Sequence, residues 1–179
     1  MRVMVVGISG VGKSTFAARL AEAAGLRVVE LDLLNWGPDW YSRTAEEPEA
    51  FMQSVDQATL DDGWIVAGGY SKVWPIVWTR AQHLVWLDLP RLQVMRQVIA
   101  RSLARAASGD DVFPGCSEGF DRLFRADHPI RWAWNNHRRR RESIARAVAD
   151  PAYAHLTVHR CCTRKEADRV LARLSGRDL

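Results

Sequence analysis

The sequence predicts one α/β domain in which a five-stranded parallel sheet is covered by helices on both faces. Two observations lead to this prediction. Short segments rich in Val, Ile and Leu alternate with longer segments whose apolar residues recur at helical spacing. The chain has 179 residues, 47% of them apolar, which is enough for one sizeable core and fits a single domain.

The predicted strands are short and apolar, as expected where both faces of a sheet are covered. The first, with the sequence RVMVVG, is almost without polar residues. A proline at position 90 ends the fourth. The five predicted strands span residues 2–7, 27–31, 64–67, 83–89 and 156–160.

Helices are predicted between the strands, and several begin with a recognisable signal. Thr44 with Glu47, and Thr163 with Glu166, have the spacing of a capping box. Pro129 suits the first turn of a helix. The predicted helices span residues 13–24, about 44–60, 91–107, 129–148 and about 163–176.

The strongest functional signal is the segment GISGVGKS at positions 7–14, which fits the phosphate-loop pattern G-x-x-x-x-G-K-[ST] at every position. Its glycines leave backbone N–H groups open to an anion, and the following helix adds its positive end. Lys13 is expected to reach the β- and γ-phosphates of ATP, and Ser14 to bind Mg²⁺. The sequence therefore predicts a P-loop NTPase that binds ATP through Gly7, Ser9, Gly10, Val11, Gly12, Lys13, Ser14 and Thr15.

Three acidic residues are predicted at the carboxyl ends of strands, where ligands bind in sheets of this type. Glu30 and Asp32 follow one another on the same side of the second strand. Asp32 could bind an acceptor hydroxyl, act as a base or hold Mg²⁺ through water, and a solvated turn is its alternative. Asp88 follows the fourth strand; it resembles a Walker B aspartate that binds the metal, or it could cap the next helix.

With these motifs, the chain resembles the adenylate-kinase-like P-loop kinases, and most closely their subgroup called DNA topology modulation proteins. The resemblance implies an ATP–Mg²⁺ phosphotransferase with a core at residues 1–35, 62–107 and 150–179. It further implies an acceptor-binding segment at about 36–61, and a lid with its following helix at about 108–149. The matching sequences are LDLLNW (31–36), WIV (64–66) with Tyr70, WLDLP (86–90), GCSEGFD (115–121) and WAWN (132–135).

Two departures from that pattern bear on the acceptor site. The subgroup usually has Asp-Gly-Asn-Tyr after the third strand, whereas this chain has Ala67-Gly68-Gly69-Tyr70. The paired glycines instead resemble the turn of shikimate-kinase-like enzymes. The adenylate-kinase pattern also has arginines 7 and 11 residues after the strand-ending proline. Counting from Pro90, Arg101 matches the second position, but Gln97 occupies the first.

These observations assign hypothetical roles. Lys13 and the lid arginines Arg101 and Arg105 would neutralise phosphate charge, while Asp32 would orient or deprotonate an acceptor hydroxyl. A phosphate acceptor would need arginine instead. The run Arg138–Arg141 covers most of a helix circumference, so at least one of the four should face the cleft. The remaining acceptor-site candidates are Trp36, Trp40, Arg43, Gly69, Arg80 and Arg131.

Composition narrows the possible partners. A net charge of +4 is too small to establish nucleic-acid binding, three cysteines fit a reducing compartment, and no apolar run has the length of a membrane span. We therefore expect a cytoplasmic monomer or homodimer that acts on a nucleotide or another small acceptor. The alternatives are a shikimate-kinase-like or antibiotic-type kinase, and an ATP-binding regulator that acts on DNA without catalysis.

Overall fold

A computed structural model describes residues 1–108, 111–117 and 129–176. Nine β-strands occur in these ranges, and five of them form the central sheet. The other four pair into two small antiparallel ribbons. In chain order the strands are β1 (Arg2–Gly7), β2 (Arg27–Glu30), β3 (Trp36–Gly37), β4 (Tyr41–Ser42), β5 (Trp64–Ala67), β6 (His83–Leu87), β7 (Asp111–Phe113), β8 (Cys116–Ser117) and β9 (Thr157–Cys161).

The central sheet is entirely parallel, with the strand order β2-β5-β1-β6-β9. The first strand therefore lies in the middle, where Val5 is in register with Ala67 on one side and with Val85 on the other. All five carboxyl ends meet at one edge of the sheet. The connection after β1 leads to β2 on one side of it, and the connection after β5 leads to β6 on its other side. At such a change of direction the carboxyl edge contains the crevice in which these sheets bind ligands.

Helices cover both faces of the sheet, so the predicted fold class is confirmed. Short 3₁₀ turns at Pro38–Trp40, Ser71–Val73 and Pro151–Tyr153 link some of the elements. The α-helices of the described ranges are α1 (Lys13–Ala24), α2 (Leu31–Asn35), α3 (Arg43–Glu46), α4 (Pro48–Ala58), α5 (Trp74–Arg80), α6 (Arg91–Ser108), α7 (Pro129–Val148) and α8 (Arg164–Leu174).

Two apolar layers hold the domain together, one on each face of the sheet. Alternation along β1 divides its side chains between them: Val3 and Val5 face the layer formed with α1, α6 and α8, and Met4 faces the layer formed with α4 and α5. Trp64 is fully buried in the second layer, where its indole N–H donates to the Thr59 carbonyl at 3.2 Å. Burial of one such side chain contributes roughly 1.5–3 kcal/mol.

The predicted strands are confirmed apart from their ends. The second ends at Glu30, and Leu31 already belongs to α2, so Asp32 lies on a short helix rather than on the strand. The fourth ends at Leu87 rather than at residue 89. The helix α5 was not predicted, since it has only seven residues, too few for a clear helical pattern.

The two predicted capping boxes differ in outcome. At α8 both reciprocal hydrogen bonds between Thr163 and Glu166 are present. At Thr44 the prediction is wrong, because the chain forms the single turn α3 and then begins α4 at Pro48. The residue before a proline is disfavoured in helical conformation, and Glu47 accordingly breaks the helix with φ −134° and ψ 58°. In the described ranges, no helix combines the length and apolar character of a membrane crossing.

A histidine pair on β6 and β9 predicts that stability falls in mild acid. His159 Nε2 and His83 Nδ1 lie 3.3 Å apart, and burial lowers the pKa of both rings below the ordinary value. A lowered folded-state pKa means that the unfolded chain binds protons more readily as the pH falls through about 6.5. We expect the free energy of unfolding to decrease between pH 7.5 and 5.5, and His159→Gln to flatten this slope in urea titrations. Equal slopes would contradict the prediction.

Candidate active site

The phosphate loop joins the end of β1 at Gly7 to the start of α1 at Lys13, in the middle of the ligand-binding edge. Its backbone needs glycine at position 10, where φ is +78° and a Cβ atom would lie 2.0 Å from Val98 Cγ2 on α6. The loop is thus pressed against α6. Ser14 and Thr15 are exposed in the first turn of α1, whereas the side chain of the loop residue Val11 is buried.

Lys13 lies at the centre of a cluster of charges. Its Nζ donates a hydrogen bond to the Ile8 carbonyl at 3.1 Å, within the loop itself. The pKa of Lys13 is lowered to about 8, mainly by burial; the charge of Asp32 opposes this shift, those of Arg140 and Arg101 add to it, and that of Glu30 opposes it. The site therefore brings three cations together at the loop that the sequence predicts to bind phosphate.

Oxygen ligands suited to Mg²⁺ lie on the β2 side of the loop. Ser14 Oγ donates to Glu30 Oε2 at 2.8 Å, which ties the carboxyl end of β2 to the first turn of α1. A hydroxyl and a carboxylate fit a hard cation that takes only one or two protein ligands and keeps several waters. Among the described residues no cluster of three or more His, Cys, Asp or Glu side chains could form a complete metal cage.

Asp32 is held by Tyr70, a residue to which the sequence assigned no role. The Tyr70 hydroxyl donates to Asp32 Oδ1 at 2.6 Å, and burial together with the Asp32 charge raises the pKa of this tyrosine. The Tyr70 ring packs on Phe51 at 5.3 Å between centroids. The tyrosine therefore remains a neutral donor that fixes the rotamer of the Asp32 carboxylate.

The paired glycines Gly68 and Gly69, which depart from the subgroup pattern, lie directly after β5 in a crowded part of the site. Gly68 donates its N–H to the Val5 carbonyl at 3.2 Å, and a Cβ atom there would lie 2.6 Å from Leu31 Cβ. Gly69 borders the phosphate loop, since a Cβ atom on it would lie 3.8 Å from the Gly7 carbonyl oxygen. A cleft of about 330 Å³ opens beside this turn, lined by Thr44, Ala45, Gly69, Tyr70, Ser71 and Lys72.

Arg140 is the main site residue that sequence reasoning did not single out. Its guanidinium donates to the Gly69 carbonyl and lies over the Trp74 ring, 4.9 Å from the centroid. Burial lowers its pKa to about 10, and its Nε is buried without a hydrogen-bond partner. Within the described ranges Arg140 forms no ion pair. The run of four arginines was the available signal, but it did not show which one faces inward.

Asp88 is engaged by arginines rather than open to a metal. Its carboxylate receives hydrogen bonds from Arg160 at 2.6 and 2.9 Å, and Arg141 Nε lies 3.0 Å from the same oxygen. Two guanidinium groups neutralise the charge that a cation would need. The assignment of Asp88 as a metal ligand therefore does not fit this geometry, and neither does a cap, because Asp88 faces Arg160 and Arg141 instead.

Trp36 and Trp40 are half-buried, with ring centroids 5.6 Å apart in an edge-to-face arrangement. Asp39 and Trp40 both have left-handed backbone conformations, with φ of 57° and 62°. Such conformations cost of order 1–3 kcal/mol each and persist only where neighbouring groups hold them. Here the β7–β8 ribbon supplies those groups: Asp39 donates to the Gly115 carbonyl at 3.0 Å, and Trp40 packs on Phe113.

The two arginines considered for a phosphate acceptor lie far apart in the fold. Arg43 begins α3, next to Thr44 at the cleft. Arg80 ends α5 near the amino ends of the strands, where it pairs with Asp56 at 2.6 Å and donates to Thr59. Arg80 therefore lies at the edge of the sheet opposite to the phosphate loop, and this position does not fit a role in binding the acceptor.

The predicted lid is described only in part. Residues 109–110 and 118–128 lie outside the described ranges, and between them β7 and β8 form an antiparallel ribbon. Arg101 is half-buried on α6 and close enough to act on the pKa of Lys13, and Arg105 lies one turn further along. Arg131 is exposed in the first turn of α7. Closure of this region over a nucleotide stays a prediction.

Comparison with solved structures identifies the fold class as that of P-loop kinases. Shikimate kinase from Aquifex aeolicus VF5 matches with a TM-score of 0.55 and 13% identity over 98% of this chain and 97% of that one. A gluconokinase from Sinorhizobium meliloti 1021 matches with a TM-score of 0.52 and 15% identity, over 98% and 93%. Shikimate kinase from Acinetobacter baumannii, solved with shikimate, matches with 0.53 and 17%, over 99% and 94%.

At these identities the likeness establishes the fold alone. No protein-family model matches the sequence, and comparison with curated proteins finds no match. The α/β fold that the sequence predicted, with a five-stranded parallel sheet flanked by helices, is shared with these structures. The resemblance to the DNA topology modulation subgroup stays a prediction.

The lowered pKa of Lys13 predicts proton uptake on nucleotide binding at alkaline pH. Lys13 is charged below pH 8 and becomes neutral above it, whereas bound phosphate would favour the charged form. We expect the affinity for ATP–Mg²⁺ to fall up to about tenfold per pH unit above pH 8. Calorimetry at pH 8.5 in buffers of different ionisation enthalpy would measure the proton uptake. Lys13→Arg, whose guanidinium stays charged, is the control without uptake; no uptake in the wild type would contradict the assignment.

Proposed function

We propose that this protein is a Mg²⁺-dependent kinase that transfers the γ-phosphoryl group of ATP to a hydroxyl group of a small-molecule acceptor. The observation that carries the proposal is the contact between Asp32 and Tyr70 beside the Lys13 ammonium. A carboxylate that is fixed by a neutral donor and faces a phosphate-binding lysine is suited to orient a nucleophilic hydroxyl.

The nucleotide side of the reaction would be served by the cations at the phosphate loop. Phosphoryl transfer depends mainly on positioning and on stabilising the charge of the transferred group. Lys13 would bind the β- and γ-phosphates, while Arg140 and Arg101 would stabilise the charge that develops on the γ-phosphoryl oxygens. Lys13 and Arg140 now donate to backbone carbonyls, which phosphate oxygens can replace as acceptors.

Ser14 and Glu30 are the residues that would hold Mg²⁺, with Asp32 contributing through a water molecule. When bound with ATP, the cation neutralises phosphate charge. The hydrogen bond from Ser14 to Glu30 keeps both oxygen ligands at the same end of α1. In the proposed metal site Glu30 is therefore a ligand in place of Asp88, which the sequence analysis had considered for this role.

A hydroxyl acceptor fits the cleft better than a phosphate acceptor. Asp32 would repel an anion at the point of attack, and Arg80 lies at the far edge of the sheet. The acceptor would occupy the cleft beside Gly69, with Trp36 and Trp40 at its outer side. The similar solved structures are named as shikimate kinases and a gluconokinase, and these names also describe small-molecule kinases.

An acceptor screen tests the proposed activity directly. Purified protein with ATP, Mg²⁺ and a panel of nucleosides, polyols and sugar acids should consume ATP only with a suitable acceptor. Lys13→Ala should lower the turnover or the ATP affinity at least about tenfold, because a charge-assisted phosphate contact is lost. The exposed Lys165 on α8 provides the matched control Lys165→Ala, which should have no effect. Binding of ATP without transfer to any acceptor, together with tight salt-dependent binding of duplex DNA, would favour the regulator alternative instead.

Substitutions at Asp32 and Tyr70 test the acceptor side. Asp32→Asn keeps the shape but removes the basicity, so we expect kcat to fall roughly 100-fold while the affinity for ATP–Mg²⁺ changes little. Tyr70→Phe removes one hydrogen bond to the charged Asp32, so we expect kcat to fall about tenfold. An equal loss of ATP–Mg²⁺ affinity in Asp32→Asn would make Asp32 a metal-site residue, and no change in either quantity would exclude it from the reaction.

A further inference from the structure

The carboxylate of Asp88 connects two parts of the molecule through a single oxygen. The Asp88 side chain is only 4% exposed, and its Oδ2 atom accepts from Arg160 Nε at 2.9 Å and Arg160 Nη2 at 2.6 Å. Arg141 Nε lies 3.0 Å from the same Oδ2 atom. A carboxylate buried to this extent needs charged partners, and here both partners are guanidinium groups.

One of these partners belongs to the rigid sheet. Arg160 lies on β9, and its guanidinium is stacked over the Trp86 ring, 4.5 Å from the centroid. The backbone of Asp88 is tied to the same strand, because its N–H donates to the Cys161 carbonyl at 2.8 Å. The pair of Asp88 with Arg160 therefore forms a fixed acceptor at the carboxyl edge, independent of any helix.

The other partner belongs to α7. Positions 133, 137, 140, 141 and 144 of this helix have the spacing of one helical face, which is turned toward the sheet. Ala133 and Ile144 are buried at its two ends, and His137 Nε2 contacts the Leu89 carbonyl at 3.1 Å. Arg141 is the charged anchor in this row, and its neighbour Arg140 points at the phosphate loop.

We propose that Asp88 is a positioning residue, which holds α7 in the rotation that directs Arg140 toward the phosphate loop, and that it does not bind the metal. Adjacent helical residues differ by about 100° in direction, so the rotation of α7 that seats Arg141 on Asp88 also sets the direction of Arg140. Arg140 itself donates to the Gly69 carbonyl and lies over the Trp74 ring, and these two contacts alone would not fix a helix. The kinetic consequences of this role rest on the proposed kinase function; the anchoring itself does not.

Hydrogen exchange in the absence of nucleotide tests the anchoring. Asp88→Asn and Arg141→Gln should each raise the exchange rates of backbone amides at positions 133–144 at least tenfold, with unchanged rates in β1 and β6. Arg138→Gln is the matched control, since Arg138 is a 90%-exposed arginine of the same helix that pairs with Glu142 one turn away. Protection of α7 equal to wild type in both anchor variants would overturn the proposal. If Asp88→Asn does not fold, Arg141→Gln decides, because 52% of the Arg141 side chain is exposed.

Kinetics then separate positioning from metal binding. We expect Asp88→Asn to lower kcat at least tenfold with less than a threefold change in the KM for ATP, and Arg141→Lys to retain more activity than Arg141→Gln. Because Asp88 is argued to act through Arg140, the double variant with Arg140→Gln should be within about twofold of Arg140→Gln alone. If the kcat losses of the two single variants multiply in the double variant, the proposal is overturned. A higher Mg²⁺ requirement in Asp88→Asn that is absent in Arg141→Gln would also overturn it, because this difference would mean that Asp88 binds the metal.

The two experiments also separate failure of this inference from failure of the proposed function. If no acceptor is phosphorylated by the wild type, the kinase function fails, and hydrogen exchange still decides whether Asp88 anchors α7. If the wild type is an active kinase and α7 is equally protected in every variant, only the anchoring fails.

Discussion

Burial of cationic side chains beside the phosphate loop is the constraint on which the rest of the site depends. Burial lowers the pKa of Lys13 to about 8, the charges of Arg140 and Arg101 add to this shift, and those of Asp32 and Glu30 oppose it. In the ligand-free site Lys13 and Arg140 donate to the carbonyls of Ile8 and Gly69. These acceptors are dipoles without net charge, so an incoming phosphate replaces them without breaking an ion pair. Lys13 and Arg140 would therefore be available to bind phosphate in the proposed function.

The carboxylates around the loop are divided by the partners that they have. Glu30 and Asp32 accept from neutral hydroxyl groups, those of Ser14 and Tyr70. Asp88 is bound by two guanidinium groups, which cancel its charge. In the proposed function the first two carboxylates would act on a cation or on an acceptor proton, and the third would hold α7 in place. Position at the end of a strand alone does not distinguish these cases.

The sequence predicted the sheet and the phosphate loop because each depends on local signals. Unbroken apolar segments and the glycine spacing of residues 7–14 each have one structural solution. The inward direction of Arg140 could not be read in the same way, because four consecutive arginines leave the rotation of α7 open until Ala133 and Ile144 are packed. The error at Arg80 has a similar origin, since a short helix can bring its end to either edge of the sheet.

The hydrogen bonds between the β3–β4 segment and the β7–β8 ribbon make two distant parts of the chain energetically dependent on each other. Asp39 and Trp40 have left-handed backbone conformations, and Gly115 and Phe113 of the ribbon support them through a hydrogen bond and a ring contact. A molecule that displaces one of the two parts must also release the other. Thermodynamic linkage then requires reciprocity: whatever favours the ribbon in this position strengthens binding at the tryptophans by the same factor that binding there strengthens the ribbon contact.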